Sequence, residues 1–281
     1  KQEGCSSLFK KLAGVGVAYK LAQAVALKLD SQDELPILTE YLDLVAFGTV
    51  ADMVPLIGEN RIITKYGLKK LDTTQSLGLS SLIEVSGLTD SEINSGKIGY
   101  ILAPKINAAG RIGNPDLAVE LFLAKNYSVA EDIAQRLDKL NTKRQEISKE
   151  MFNEAEELIS QFDLTEEWVL VLASKNWHPG IAGNVASDIS EKYYRPTILI
   201  SLDENGIWQG SARSIPGFNI YDALAENSNL LNRFGGHKQA AGLSINEDKI
   251  NELRISLNKY AHQKLTKEDL MRILIEPKNA I

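Results

Sequence analysis

The 281-residue sequence has one cysteine, Cys5, so no intramolecular disulfide can form, and a reducing, cytoplasmic setting fits that usage. Only three histidines occur, His178, His237 and His262. None is adjacent to another, and no Cys/His spacing of a zinc site is present. No Gly-x-Ser-x-Gly elbow appears, and Cys5 has no catalytic signature around it. No apolar run approaches the ~18 residues of a membrane span, and no signal-peptide pattern opens the chain. Basic excess is also missing. Lys and Arg number 31 against 37 Asp and Glu, for a net charge of −6 and a pI near 5.3. That balance excludes a protein that holds nucleic acid by bulk charge, but it leaves room for a local basic cleft.

What is present is ordinary globular sequence, 44% hydrophobic and 24% charged. At ~150 residues per domain the length predicts about two domains. Residues 6–30 read as helix, with Gly14 and Gly16 marking a close backbone approach at ~1 kcal/mol each against alanine. The apolar run Tyr41–Val50 fits either a buried helix or a buried strand. Short helices are predicted over 60–71, 76–86 and 115–124. Thr89-Asp90-Ser91-Glu92 has capping-box spacing, with helix following through Ile98–Leu102 until Pro104 ends it. Ser128-Val129-Ala130-Glu131 is a second such box. Behind it Ile133, Leu137, Leu140, Ile147, Met151, Ala155 and Leu158 recur three, four or seven apart. That pattern predicts one helix from about 128 to 160, on the order of 50 Å long. After Asp163 the pattern changes to strands at Trp168–Ala173, Pro196–Ser201 and Ile207–Ser211, followed by the segments Leu230–Phe234 and Ala240–Ile245 on either side of a glycine loop that carries His237. Helices at 180–193 and Phe218–Glu226 are interspersed, which is the signature of an α/β unit. The tail, 262–281, reads as a linker. No repeat or low-complexity segment is seen.

Four polar or glycine-rich clusters sit at the ends of apolar segments, where α/β proteins build ligand sites. Asp52, closing Gly48-Thr49-Val50-Ala51-Asp52, is either a hard-metal ligand or a cap or turn aspartate. In Asn107-Ala108-Ala109-Gly110-Arg111 the small residues either let the backbone approach a ligand while Arg111 forks onto a phosphate, or form a tight turn with an exposed arginine. Trp177-His178-Pro179-Gly180-Ile181-Ala182-Gly183-Asn184 opens a helix and could offer free N–H groups to an anion, although it is neither a Walker loop nor a dinucleotide fingerprint. For His178 alone a structural place is the simpler reading. Gly210-Ser211-Ala212-Arg213-Ser214 and Phe234-Gly235-Gly236-His237-Lys238 together supply arginine, histidine and small hydroxyls, the groups needed to grip a phosphodiester. Ser211 and Ser214 also fit plain turn chemistry.

GTVAD (48–52), INAAGR (106–111), WHPGIAGNVAS (177–187), YRPTILIS (194–201), GSARSIPGFNIYDAL (210–224) and FGGHKQAAGL (234–243) resemble, in order, the RecJ single-stranded-DNA exonucleases of the DHH phosphoesterase superfamily. The resemblance runs from about Leu12 to Leu243. It implies an α/β protein made of the helical end of a DHH domain (1–125), a long connecting helix (126–162) and a mixed-sheet DHHA1 substrate-binding domain (163–262). A linker (263–281) toward an OB-fold would follow. It further implies that Asp52 is a catalytic metal ligand for Mn²⁺ or Mg²⁺. Asn107, Arg111, Ser211, Arg213 and His237 would line the DNA-phosphate cleft, with His178 nearby in a less defined role. Those groups would converge near Asp52 when the domains close.

The family's Asp-x-Asp and Asp-His-His motifs are absent, which implies a middle piece that is inactive alone. The implied activity of the intact protein is 5′-to-3′ cleavage of single-stranded DNA by two metal ions. Partners would be single-stranded DNA, a repair helicase and a single-strand-binding protein, with no membrane. Two other readings are a non-catalytic DNA-binding or partner scaffold and a hydrolase of nano-RNA or other small phosphodiesters.

Overall fold

The computed structural model describes residues 9–28 and 39–271. Cys5 and the ends of the first expected helix lie outside them. Two compact units divide at Thr142/Lys143, inside one long helix.

The first unit is helical. Helix α1 (Gly14–Lys28) begins later than the 6–30 reading, since residues 9–13 are not helical. Among the described residues an added Cβ at Gly14 would meet nothing within 4 Å, so no close approach is seen there, and the nearest atoms to one at Gly16 belong to Leu12 of the same segment. The ambiguous run is helix α2 (Leu42–Ala51). It packs on α3 (Gly58–Leu71) at Gly67, where a Cβ would lie 2.3 Å from the Leu42 carbonyl oxygen. Helix α4 (Leu77–Val85) is capped by Ser76, whose Oγ accepts from the Leu79 amide.

The first capping box is a turn instead. Asn94 is the cap, its Oδ1 accepting from the Lys97 amide at 2.9 Å. Helix α5 then runs from 95 to 112 straight through Pro104. It does so because residues Ile98–Leu102 are wound as a π-turn, with the Ala103 amide bonded to the Ile98 carbonyl. The wider turn accommodates a ring that lacks an N–H and crowds the preceding turn. Helix α6 (Asp116–Leu123) follows. Phe47, Leu79, Leu82, Ile98, Leu102 and Leu121 form the core with Leu137 of α7 (Tyr127–Ile159). The cap of α7 is Asn126, which accepts from the Val129 amide at 3.0 Å, and not Ser128. A hydroxyl already inside the first turn is displaced by a side chain one step before it.

The second unit is a five-stranded mixed sheet in the order β1-β2-β3-β5-β4. Strand β1 (Leu170–Ser174) pairs parallel with β2 (Thr197–Leu202) through helix α8 (Pro179–Tyr193). Strands β3 (Trp208–Arg213), β4 (Leu231–His237) and β5 (Ala240–Ile245) complete it antiparallel. One face, with Val171, Ile198, Ile200, Ala212 and Leu243, packs on α9 (Ile220–Glu226) and α10 (Ile250–Lys264). Helix α10 escaped the sequence reading, and residues 263–271 are no free linker: Leu265 is buried in this core and Leu270 packs against it. Trp168 and Val169 precede β1 because their amides donate to Asn258 Oδ1, at 2.6 and 2.8 Å, and not to a neighbouring strand.

Candidate functional site

The outer face of the sheet is read from register, since paired residues in neighbouring strands share a face. Ser211 pairs with Gly242, which pairs with Gly235. Arg213 pairs with Ala240, which pairs with His237. Three residues expected from sequence to grip a phosphate, Ser211, Arg213 and His237, therefore stand on one face in adjacent rows. The residues between them in the middle strand are Gly242 and Ala240, so little side-chain bulk separates them.

Each group is held by its neighbours. Arg213 Nε donates to the Ser187 hydroxyl of α8 at 3.1 Å, and Nη1 to the Ala212 carbonyl at 2.8 Å. A Cβ on Gly183 would come within 2.8 Å of the other Arg213 Nη. Gly183 is therefore bare to make room for a guanidinium. Ser187 is fixed in turn by donating to the Gly183 carbonyl at 3.1 Å. The Ser211 hydroxyl makes no hydrogen bond among the described residues. His237 is not in a loop: the two glycines before it are strand, and it is the last residue of β4. Gly236, at φ +150, leaves no space for a Cβ, which would fall 2.4 Å from the Ala240 carbonyl oxygen. His237 Nδ1 accepts from the Gln239 amide at 3.2 Å. The neutral ring then carries its proton on Nε2, a donor available to an anion. The turn after it is pinned by Ile220 N to the Lys238 carbonyl and Ser214 N to the Gln239 carbonyl. Ser214 itself is turn chemistry, its hydroxyl donating to the Phe218 carbonyl.

The WHPG segment does not form an open anion loop. His178 is the N-cap of α8, with Nδ1 accepting from the Gly180 amide at 3.1 Å, and Pro179 begins the helix. Trp177 Nε1 donates to Glu154 Oε2 at 2.8 Å.

In the first unit, Asn107 and Arg111 are on a helix and not on a turn or loop. They stand four residues apart on α5, so they share a face. Asp52 follows the last residue of α2, exposed, with its amide bonded to the Gly48 and Val50 carbonyls. A carboxylate there sits at the negative end of the helix dipole, an arrangement that a bound cation would relieve. Met53 beside it has φ +54, a strained conformation for a side-chain-bearing residue. Met53 and Val54 line a hollow of about 240 Å³ with Ser95, Gly99 and Tyr100 of α5. Among the described residues no three His, Cys, Asp or Glu side chains gather as a metal site. Asp52 alone therefore does not make a complete one.

Residues 166–263 match the DHHA1 domain family. The chain is 44% identical to the single-stranded-DNA-specific exonuclease RecJ of Bacillus subtilis over 97% of its length, and 38% identical to that of Escherichia coli over 87%. The chain is similar to these RecJ proteins over nearly all of its own length. It spans only 34% of the first of these relatives and 45% of the second. Crystal structures agree. RecJ from Thermus thermophilus in complex with Mg²⁺ matches 92% of the chain with a TM-score of 0.81 at 34% identity, over 39% of that structure. Exonuclease RecJ bound to manganese matches 94% with a TM-score of 0.78 at 33% identity, over 66% of that structure.

Two residues beside these groups are not singled out by the sequence. Ser187 could have been suspected from its place in the WHPGIAGNVAS run, four residues after Gly183. Arg233 lies on the same sheet face through a break in strand alternation that no motif signals.

Proposed function

We propose that this chain is the strand-gripping part of a metal-dependent exonuclease that cuts single-stranded DNA from the 5′ end. The observation that carries the reading is the placement of Ser211, Arg213 and His237 on one sheet face of the DHHA1 domain. A hydroxyl, a guanidinium and an Nε2–H are the kinds of donor that a phosphate takes. These groups hold a phosphate by charge-assisted hydrogen bonds and are indifferent to the base. Asn107 and Arg111, on one helical face, serve the same strand. Arg111 offsets phosphate charge, and His178 keeps the start of α8 in place.

Mn²⁺ or Mg²⁺ supplies an activated water and stabilises the entering and leaving oxygens when a two-metal site is complete. Asp52 offers one of its ligands. The other side chains account for holding the strand and not for cutting it. The natural setting of such an enzyme is the cytoplasm, downstream of a helicase that exposes single strands and beside a single-strand-binding protein. No described helix is long and apolar enough to cross a membrane.

The test is fluorescence anisotropy of labelled single-stranded oligonucleotides with the chain and with Ser211→Ala, Arg213→Ala and His237→Ala. Each substitution is expected to weaken binding by a similar factor on oligothymidylate and on mixed sequence. Binding unchanged in all three overturns the reading. Cleavage of dinucleotides in preference to long strands by a longer protein containing the chain would favour a small-phosphodiester hydrolase instead.

A further inference from the structure

Strand β4 carries a bulge. Leu231 pairs with Ile245, but the next pair is Arg233 with Ser244, so Asn232 is the extra residue. Without that insertion, Arg233 would alternate onto the core side, where Leu231 packs. With it, Arg233 joins the outer row Gln209–Ser244–Arg233, next to Ser211–Gly242–Gly235 and then Arg213–Ala240–His237. Bulges of this kind re-aim a side chain beside functional sites. Asn232 is itself held, its Nδ2 donating to Asn246 Oδ1 at 2.9 Å.

Three further observations concern the same place. Arg233 is exposed, and its guanidinium makes no hydrogen bond or ion pair among the described residues. Pro179, Gln209, Ser211, Arg233, Gly235 and Gly242 line a cavity of about 630 Å³. Its floor is open: a Cβ on Gly235 would meet nothing within 4 Å, and one on Gly242 would come no closer than 3.9 Å to the Gly210 carbonyl oxygen. These two glycines are not required by crowding in the free protein, in contrast to Gly236 beside them. What would need the room is something lying on the sheet.

We infer that Arg233 is a second phosphate contact, and that the single strand runs from the Arg213–His237 row across the bare Gly235–Gly242 row to Arg233. The inference rests on the phosphate reading above and extends it to a further nucleotide. Successive rows on one face are two residues apart, about 6.8 Å along a strand, so Arg233 lies two steps from His237. Arginine at that distance takes the backbone of a following nucleotide, not the phosphate held by Arg213. Gln209, which shares the row, is bonded through Nε2 to Asp203 at 2.6 Å. That carboxylate also accepts from the Asn205 and Ile207 amides, so it is occupied at the far edge of the trough.

The experiment is anisotropy of long oligothymidylate across a salt series with the 281-residue chain and its Arg233→Gln, Arg233→Lys, Gly235→Ala and Arg213→Gln variants. Arg233→Gln is expected to weaken binding about tenfold. It should also reduce the slope of log affinity against log salt by about 0.7, the value for one phosphate of a single strand. Arg233→Lys keeps the slope, because the charge is what counts. Gly235→Ala weakens binding with an unchanged melting temperature and unchanged slope, by obstructing the strand. Arg233→Gln with the affinity and slope of the parent, while Arg213→Gln is impaired, overturns the inference and leaves the phosphate reading intact. No binding by the parent chain, or no effect of Arg213→Gln, overturns that reading itself.

Discussion

Gly183 shows how one missing methyl group makes room for a neighbouring arginine. An alanine there would gain helix propensity of about 0.5–1 kcal/mol, but its Cβ would crowd an Arg213 Nη atom at 2.8 Å. The atom in the way is the end of a flexible side chain, so the fold can yield. Gly183→Ala is therefore expected to leave the melting temperature nearly unchanged and to move the guanidinium off Ser187. Single-strand affinity should fall by roughly the same factor as in Arg213→Ala, where loss of a charge-assisted hydrogen bond amounts to about 1.5–3 kcal/mol. Calorimetric melting and titration of the two variants side by side check this. Equal binding by Gly183→Ala and the parent would show that Arg213 does not need that position. The motif glycine is legible in the sequence, but its purpose is not. Read locally, Gly180 and Gly183 suggest an anion loop, whereas the reason for Gly183 lies on a strand 30 positions further along the chain. Arg233 is hidden for a related reason: alternation assigns faces by parity, and the bulge at Asn232 reverses the parity without altering composition.

Elements are legible where periodicity is long and unreadable where one side chain decides. For the helix Tyr127–Ile159, the periodic pattern places both ends within one residue. The caps of α5 and α7 do not follow the Ser/Thr-x-x-Glu patterns, because Asn94 and Asn126 take the amides first. Helix α10 carries no cap or motif to announce it, yet Asn258 on it organises the start of β1. Its Oδ1 accepts from two buried amides, and its Nδ2 donates to Glu167 and to the Val169 and Arg254 carbonyls. Asn258→Ala strands both amides, so unfolding in denaturant should show a loss of about 3 kcal/mol. A loss under about 1 kcal/mol would mean that water replaces the side chain.

A second element-level test concerns the contact of α7 with α8. Glu156 accepts from Lys192 Nζ at 2.6 Å and from the Tyr193 hydroxyl at 2.6 Å. Its carboxyl is held below the ordinary value of 4.5, first by the Lys192 hydrogen bond and then by that of Tyr193. A depressed carboxylate stabilises the fold above its unfolded pKa, and that contribution is lost as pH falls through the folded value. Melting temperature should therefore drop on acidification below pH 4.5, and Glu156→Gln should shallow that drop while lowering the plateau near neutrality. An acid limb of identical shape in the variant would count against the contact.

At the scale of the whole molecule, the chemistry is divided between units that differ in how complete they are. The second unit has its own core, drawn from Trp168 to Leu270, and it carries the side chains proposed above to hold a phosphate. Residues 143–271 are therefore expected to unfold cooperatively as an isolated piece and to bind single strands with a salt-dependent affinity that Arg213→Ala weakens. The first unit contributes Asp52, exposed at a helix C-terminus, but no cluster of metal ligands among the described residues. Each ion of a two-metal pair needs several oxygen or nitrogen ligands. The 281-residue chain should consequently bind single-stranded DNA and fail to degrade it, with Mn²⁺ or with Mg²⁺. A longer protein that supplies further carboxylates should cut and should lose cutting, but not strand binding, on Asp52→Ala. Binding by anisotropy and nucleotide release by gel, run on the same samples, separate the two functions. Metal-dependent degradation by the 281-residue chain itself, abolished by Asp52→Ala, would show that the ligands it needs are already present and that grip and cutting are not divided in this way.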